Sequence, residues 1–253
     1  PDERSAGQER WLDMRAYPMP DGGVAIFWRD ISDRRQAEQK LRESESHQAF
    51  LLALGDAMRA ASSANETIEV AARLLGERLG ASRIMFAEFD ETKGIADIFY
   101  GWFADGAQPF PAVMRLEDYE GPILDDLRAD RAVRIEDTGN PALKQADLAA
   151  IAKLGVKALL SVPLTINGRL AVNLSVHQHE PRSWTNGEVA LVRDVSERLW
   201  ADLVRSRAEE ALHQSEERQS FLLALSDAMG HLTRPLEIAE AATSRLRERL
   251  GVN

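Results

Sequence analysis

His177 and His179 stand two residues apart in "RLAVNLSVHQH", a run that reads as a strand, so both imidazoles leave one face of it at a spacing that suits a divalent metal. Solvated or hydrogen-bonded histidines are the plainer reading, and no metal site is assigned. The same run alternates: Leu170, Val172, Leu174 and Val176 lie on one side, and Ala171, Asn173, Ser175 and His177 on the other. The second set is small and polar. Tyr100, Trp102 and Tyr119 are candidates to line a pocket for a planar ligand, with core packing as the alternative. Arg115 and Arg134 are candidates to hold an anion, with exposed salt bridges as theirs. His213 stands on a helical stretch with no acidic residue directly after it and no ATP-binding sequence near it, so it is not taken as a phosphoacceptor. No Gly-rich phosphate loop follows a strand and no Ser-His-Asp order suggests itself, so no catalytic residue is assigned.

Composition narrows the remaining choices. A formal charge of −10 over 253 residues disfavours nucleic acid and anionic membrane surfaces, because phosphate contacts need clustered Lys and Arg. No run approaches the roughly 18 apolar residues of a spanning helix, and Pro1 opens a polar stretch without a signal-peptide pattern. A cytoplasmic protein is expected. The absence of cysteine closes disulfide, thiolate and thioether chemistry within the chain.

The elements that must position these residues come from periodicity and turn chemistry. Trp11–Tyr17 and Val24–Asp30 flank Pro-Asp-Gly-Gly and predict a β-hairpin. Asp33 and Gln36 fit a capping box for a helix to Leu54 or beyond, and a second helix spans about Asn65–Leu79, ending at Gly80. "SRIMFAEFD" and "IADIFYGWF" predict an antiparallel pair, and Ala104–Gly121 an irregular connection. "AVRIED" is a short strand, Asn140–Gly155 a capped helix, and Asn167-Gly168 the turn of the clearest hairpin. Thr185 and Glu188 cap a helix that meets no Gly or Pro until after Met229.

One helix is written twice. "FLLALGDAM" at Phe50–Met58 returns as "FLLALSDAM" at Phe221–Met229, and Ala37–Ser82 matches Ala208–Asn253 at about 22 of 46 positions. An offset of 171 residues predicts two successive domains of one family, the second present only as its first helices. Positions spaced four and three apart, Leu41, Leu51, Leu212, Leu222 and Met229 among them, predict a parallel homodimer seam weakened by Ser44, Gln48, Ser215 and Gln219.

The order helix, helix, strand, strand, helix, hairpin, long helix resembles a GAF sensory domain, most specifically over "LLSVPLTINGRLAVNLSVHQHEPRSWTNGEVALVRDVSERL", with Pro163 ending a strand and Trp184 ahead of the capped helix. The resemblance implies an α+β fold in which an antiparallel sheet carries a helical layer, flanked by long coiled-coil-like connector helices. It also implies that Asn173, Ser175 and His177 border a ligand cavity while the branched residues of their strand pack on the helices. Asp30, Ile31, Ser32, Asp33 and Arg34 resemble the exit of a PAS domain, and "RRQAEQKLRESE" and "SRAEEALHQSEE" resemble connectors of bacterial sensor histidine kinases, the GAF wording being similar to the HWE kinase group. The implied order is a PAS end (1–34), a connector (35–48), a GAF domain (49–205), a connector (206–220) and the start of a second GAF domain (221–253). A non-catalytic sensor is expected, relaying ligand or partner binding to an output module; the alternative is a constitutive dimerisation spacer with a filled cavity. His177 falls where bilin-binding relatives carry the first of a His-His pair, but "LEDYEGPIL" stands in place of their Asp-Ile-Pro motif, so a bilin is disfavoured. The Asn-Lys-Phe-Asp-Glu signature of cyclic-nucleotide-binding relatives is likewise missing. The cofactor is left open.

Overall fold

The computed structural model describes residues 10–20, 22–104, 111–119, 121–140 and 151–230, with 239, 243, 244 and 247; for 99, 100, 118, 119 and 228–230 it describes the backbone alone. Most of the expected Asn140–Gly155 helix, and the chain after Gly230 that would open a second domain, therefore lie outside the described residues.

Strands β1 (Leu12–Pro18) and β2 (Val24–Asp30) form a separate hairpin, with Leu12 opposite Asp30. Its joint to helix α1 (Ser32–Ala60) is tied three times: Ile31 N–H donates to the Trp11 carbonyl, Trp11 N–H to Ser32 Oγ, and Ser32 N–H to Asp30 Oδ1. The last bond corrects the expected Asp33–Gln36 capping box. An Asx turn at Asp30 has already reversed the chain, so α1 starts behind Ile31 with no side-chain cap, and Asp33 sits inside the first turn, where its charge suits the helix dipole. Helix α2 (Ala64–Leu79) is capped by Ser63, whose Oγ accepts the Glu66 N–H, and closes on Gly80 at φ 58°.

The main sheet has six antiparallel strands in the order β5-β4-β3-β8-β7-β6: β3 (Arg83–Asp90), β4 (Ile95–Phe103), β5 (Val113–Arg115), β6 (Val133–Ile135), β7 (Ala158–Ile166) and β8 (Arg169–Gln178). Asn167 and Gly168 join β7 to β8 with φ of 52° and 75°, the positive pair that a two-residue hairpin turn requires. Three expectations change here. The Ala104–Gly121 connection carries β5 and a 3₁₀ turn at Leu116–Tyr119, each too short to show a period, and helix α3 (Pro122–Arg128) follows it. Pro163 does not end a strand: β7 runs through it, and β6 covers β7 only from Leu159 to Ser161, so the missing N–H falls where no β6 ladder is interrupted. Leu170 leaves the side of Val172, because Ala171 is an extra residue in the β7–β8 register and inverts the alternation beyond it.

One sheet face carries the helical layer. Leu54 and Met58 of α1, Ile68 and Leu75 of α2, and Val192, Val195 and Leu199 of the last helix, α4 (Asn186–Gly230), pack on Ile84, Phe86, Leu160, Val172, Leu174 and Val176. Thr185 and Glu188 form the expected capping box: Glu188 N–H donates to Thr185 Oγ1 at 3.1 Å and Thr185 N–H to Glu188 Oε2 at 2.8 Å. The 45 residues of α4 extend about 67 Å at the α-helical rise. Past Leu203 it leaves the core, and the Arg207 guanidinium grips the Glu88 carboxylate of β3 through two bonds of 2.9 and 2.7 Å. Where α1 enters the layer, His47 Nε2 meets Asp194 Oδ2 of α4 at 2.6 Å. No helix among the described residues is long and apolar enough to cross a membrane.

Candidate functional site

The opposite sheet face meets a smaller apolar cluster built from Leu116, Leu124, Leu127, Leu159 and Leu170, and between them lies a cavity of about 100 Å³. Its walls come from three places. β3 and β4 contribute Met85, Ala87, Ala96 and Ile98; β5, the 3₁₀ turn and α3 contribute Met114, Leu116, Ile123, Leu124 and Leu127; β7 and β8 contribute Leu159, Ser161, Asn173, Ser175 and His177.

The polar residues form one patch because the hairpin register places Ser161 opposite Ser175, Leu159 opposite His177 and Pro163 opposite Asn173. Asn173 Nδ2 donates to Ser161 Oγ and to Ser175 Oγ, both at 2.8 Å, and Ser161 Oγ donates to Asn173 Oδ1 at 3.0 Å. The two seryl oxygens are 3.1 Å apart. This buried triad satisfies itself, as polar groups removed from water must. Beside it, burial and then the positive charge of Arg83 push the His177 imidazole down to about 3, so it is neutral across the physiological range. Arg83 faces His177 across the β3–β8 ladder and is itself buried, its Nη2 donating to the Leu154 carbonyl at 2.9 Å. Desolvation lowers its pKa as well.

Asn173, Ser175 and His177 thus come together on the cavity; the aromatic and cationic candidates do not join them. Trp102 lies on the helical face, where its ring covers Gly76 of α2, because its cross-strand partner Ile84 belongs to that face. Tyr100 pairs with Phe86 in the ladder, and the side chains of Tyr100 and Tyr119 lie outside the described atoms. Arg115 is exposed on the edge strand and pairs with Glu117 at 2.5 Å, and Arg134 donates to Asn186 Oδ1 at 2.7 Å. His179 is exposed past the end of β8 and bonds Ser82, so it shares no metal face with His177. Among the described residues no group of three His, Cys, Asp or Glu is placed to hold a metal.

Ser161 and Arg83 were not singled out from the sequence. Ser161 had a usable signal, a lone hydroxyl in the apolar run "ALLSVPL" that the Asn167-Gly168 turn brings opposite Ser175. Arg83 had none, since a charged residue at a strand start ordinarily reads as exposed.

Of the seam positions, Leu41, Leu212 and Leu222 are exposed at 59, 60 and 52%. Leu51 is half-buried against the chain's own core, and the Met229 side chain is outside the described atoms.

The family profile described as GAF domain matches residues 63–203, more than half of the chain. No curated protein matches the sequence. Among solved structures the chain is similar to a bacteriophytochrome from R. palustris (TM-score 0.66, 15% identity, 82% of this chain and 47% of that one). It is also similar to the phytochrome photosensory core module of Stigmatella aurantiaca (TM-score 0.63, 17% identity, 97% and 52%). A third likeness is to the GAF domain of a phosphoenolpyruvate-protein phosphotransferase from Coxiella burnetii (TM-score 0.52, 20% identity, 65% and 96%). The chain spans about half the length of the two phytochrome structures.

Proposed function

The chain belongs to the GAF domain family, whose members are sensory domains of signalling proteins, and we propose that it is a non-catalytic sensor segment in which a small molecule in the cavity biases the packing of α1 and α4. The observation that carries this reading is the cavity bordered by Ser161, Asn173, Ser175 and His177 on one face of a sheet whose other face holds both helices. A ligand that shifts β3 or β8 changes the surface on which α1 and α4 pack, and a modest difference in affinity between two packings is enough to move their populations.

In the full reading the connectors form a parallel homodimer, and α4 leads to an output module, a histidine kinase of the HWE group, in the cytoplasm. The hairpin supports a PAS end ahead of α1: Met14, Val24, Phe27 and Trp28 are each more than 60% exposed, as strands are when they expect sheet neighbours. Phytochromes are among the structural neighbours, yet a bilin is not proposed. The cavity is well below the roughly 300–1,000 Å³ of sites for drug-sized ligands, and the chain has no cysteine for a thioether. The same small volume favours the second reading, a dimerisation spacer whose cavity is largely filled by its own side chains.

Native mass spectrometry of the purified chain separates the two. A retained small molecule that leaves on denaturation supports the sensor. A chain that retains nothing, and whose dimer strength no added compound alters, supports the spacer.

A further inference from the structure

We infer that the cavity selects a small uncharged molecule, apolar over most of its surface and carrying one hydrogen-bond donor, such as a phenol, and rejects ions of the same size. This rests on the ligand-binding reading of the cavity proposed above, and names the class of ligand.

Charge is decided by the walls. No Asp, Glu, Lys or Arg is among the described residues that line the cavity. Arg83, the cation just behind His177, does not line it and is turned to the Leu154 carbonyl. A carboxylate, phosphate or ammonium group entering here would lose its water and meet no opposite charge among the described lining residues, which burial penalises heavily. His177 supplies no compensating charge, being neutral at physiological pH.

The donor requirement follows from where the protons of the triad go. Asn173 Nδ2 commits its two protons to the two seryl oxygens, and the Ser161 hydroxyl commits its own to Asn173 Oδ1. The proton between the two seryl oxygens must then come from Ser175. Every proton of the triad is spent inside it. What remains is acceptor capacity, a lone pair on Ser175 Oγ and one on Asn173 Oδ1. A ligand hydroxyl or N–H completes this set, and a ligand with acceptors only finds no proton of the triad to receive.

Size sets the rest. At about 100 Å³ the space is somewhat smaller than the roughly 150 Å³ apolar cavity that is known to accept benzene. One six-membered ring with a single small substituent fits once the flexible Met85 and Met114 side chains give way.

The test uses the whole chain with labelled methionine methyls, because Met85 and Met114 line the cavity and report its occupancy by NMR without any mutation. The probes are phenol, toluene and benzoate. Phenol should shift both methyls saturably, toluene should bind roughly fivefold more weakly for want of one hydrogen bond, and benzoate should leave both methyls in place well above the concentration that saturates phenol. Ser175→Ala, a small change that keeps the sheet, removes one of the two acceptors and should weaken phenol while leaving toluene unaffected. Benzoate binding as tightly as phenol, or toluene equal to phenol, overturns this inference and leaves the cavity standing as a ligand site. If none of the probes moves either methyl, the inference and the ligand-binding reading fall together.

Discussion

A single buried imidazole gives this domain a predictable response to acid. His177 is held at about 3 by burial and by Arg83, while in the unfolded chain it takes up a proton near its ordinary 6.5. Between those values the unfolded state binds the extra proton, so the stability due to neutral His177 is complete above about pH 6.5 and is lost as pH falls toward 3. The slope it adds is at most about 1.4 kcal/mol per pH unit. His177→Gln should flatten the curve of unfolding free energy in that window, measured by urea denaturation; an unchanged slope would show that His177 titrates normally. An NMR titration should likewise find no protonation of His177 near neutrality. Asn173, Ser175 and His177 could be placed on one face from the period of their strand alone. Arg83 could not, because what buries it is a strand paired with it from 94 residues later, and no local pattern announces that.

At the scale of elements, the contact between α2 and β4 rests on one glycine. A Cβ on Gly76 would lie 2.2–2.9 Å from ring carbons of Trp102, too close for any side chain. Alanine normally stabilises a helix interior by about 1 kcal/mol over glycine. Here the half-buried ring lies directly against the helix, so overpacking of about 1–3 kcal/mol should offset or outweigh that gain. Gly76→Ala should lower stability by up to about 2 kcal/mol in thermal melts, and Gly76→Ala combined with Trp102→Leu should recover part of the helix preference. A stabilised single variant would mean that Trp102 has free space. This contact also explains why aromatic content misled: Trp102 and Tyr100 read equally well as ligand contacts or core, and only the partner strand tells which face Trp102 takes. The long elements were legible because they repeat their period many times and carry turn or cap chemistry, as α2, α4 and the β7–β8 hairpin do. β5 and α3, of three and seven residues, had too few turns of pattern to declare themselves, and Ala171 flips Leu170 without any residue type that marks a bulge.

For the whole molecule, the two ends of the helical framework expose leucines that the domain's own core does not use. Leu41, Leu212 and Leu222 are all more than half exposed, which suits a seam between two copies. Leu212→Asp lies beyond the last core residue of α4, Leu203, and should abolish dimerisation in sedimentation while the circular dichroism of the sheet persists. A monomeric parent, or a mutant that stays dimeric, would remove the connector seam. The grip of Arg207 on Glu88 has its own consequence. As a fulcrum it would leave, from there to Gly230, a lever arm 23 residues long, about 35 Å. A tilt of about 5° at the pin swings the far end by about 3 Å, more than half the 5.4 Å pitch of the helix. Arg207→Lys keeps the charge but loses the fork that fixes direction, so the distance between spin labels at Thr92 and Ser220, measured with labelled chains diluted in unlabelled ones, should broaden. A displacement of β3 too small to register as a conformational change would then arrive at the end of α4 magnified, and the fineness of that gearing is set by where along the helix one guanidinium takes hold.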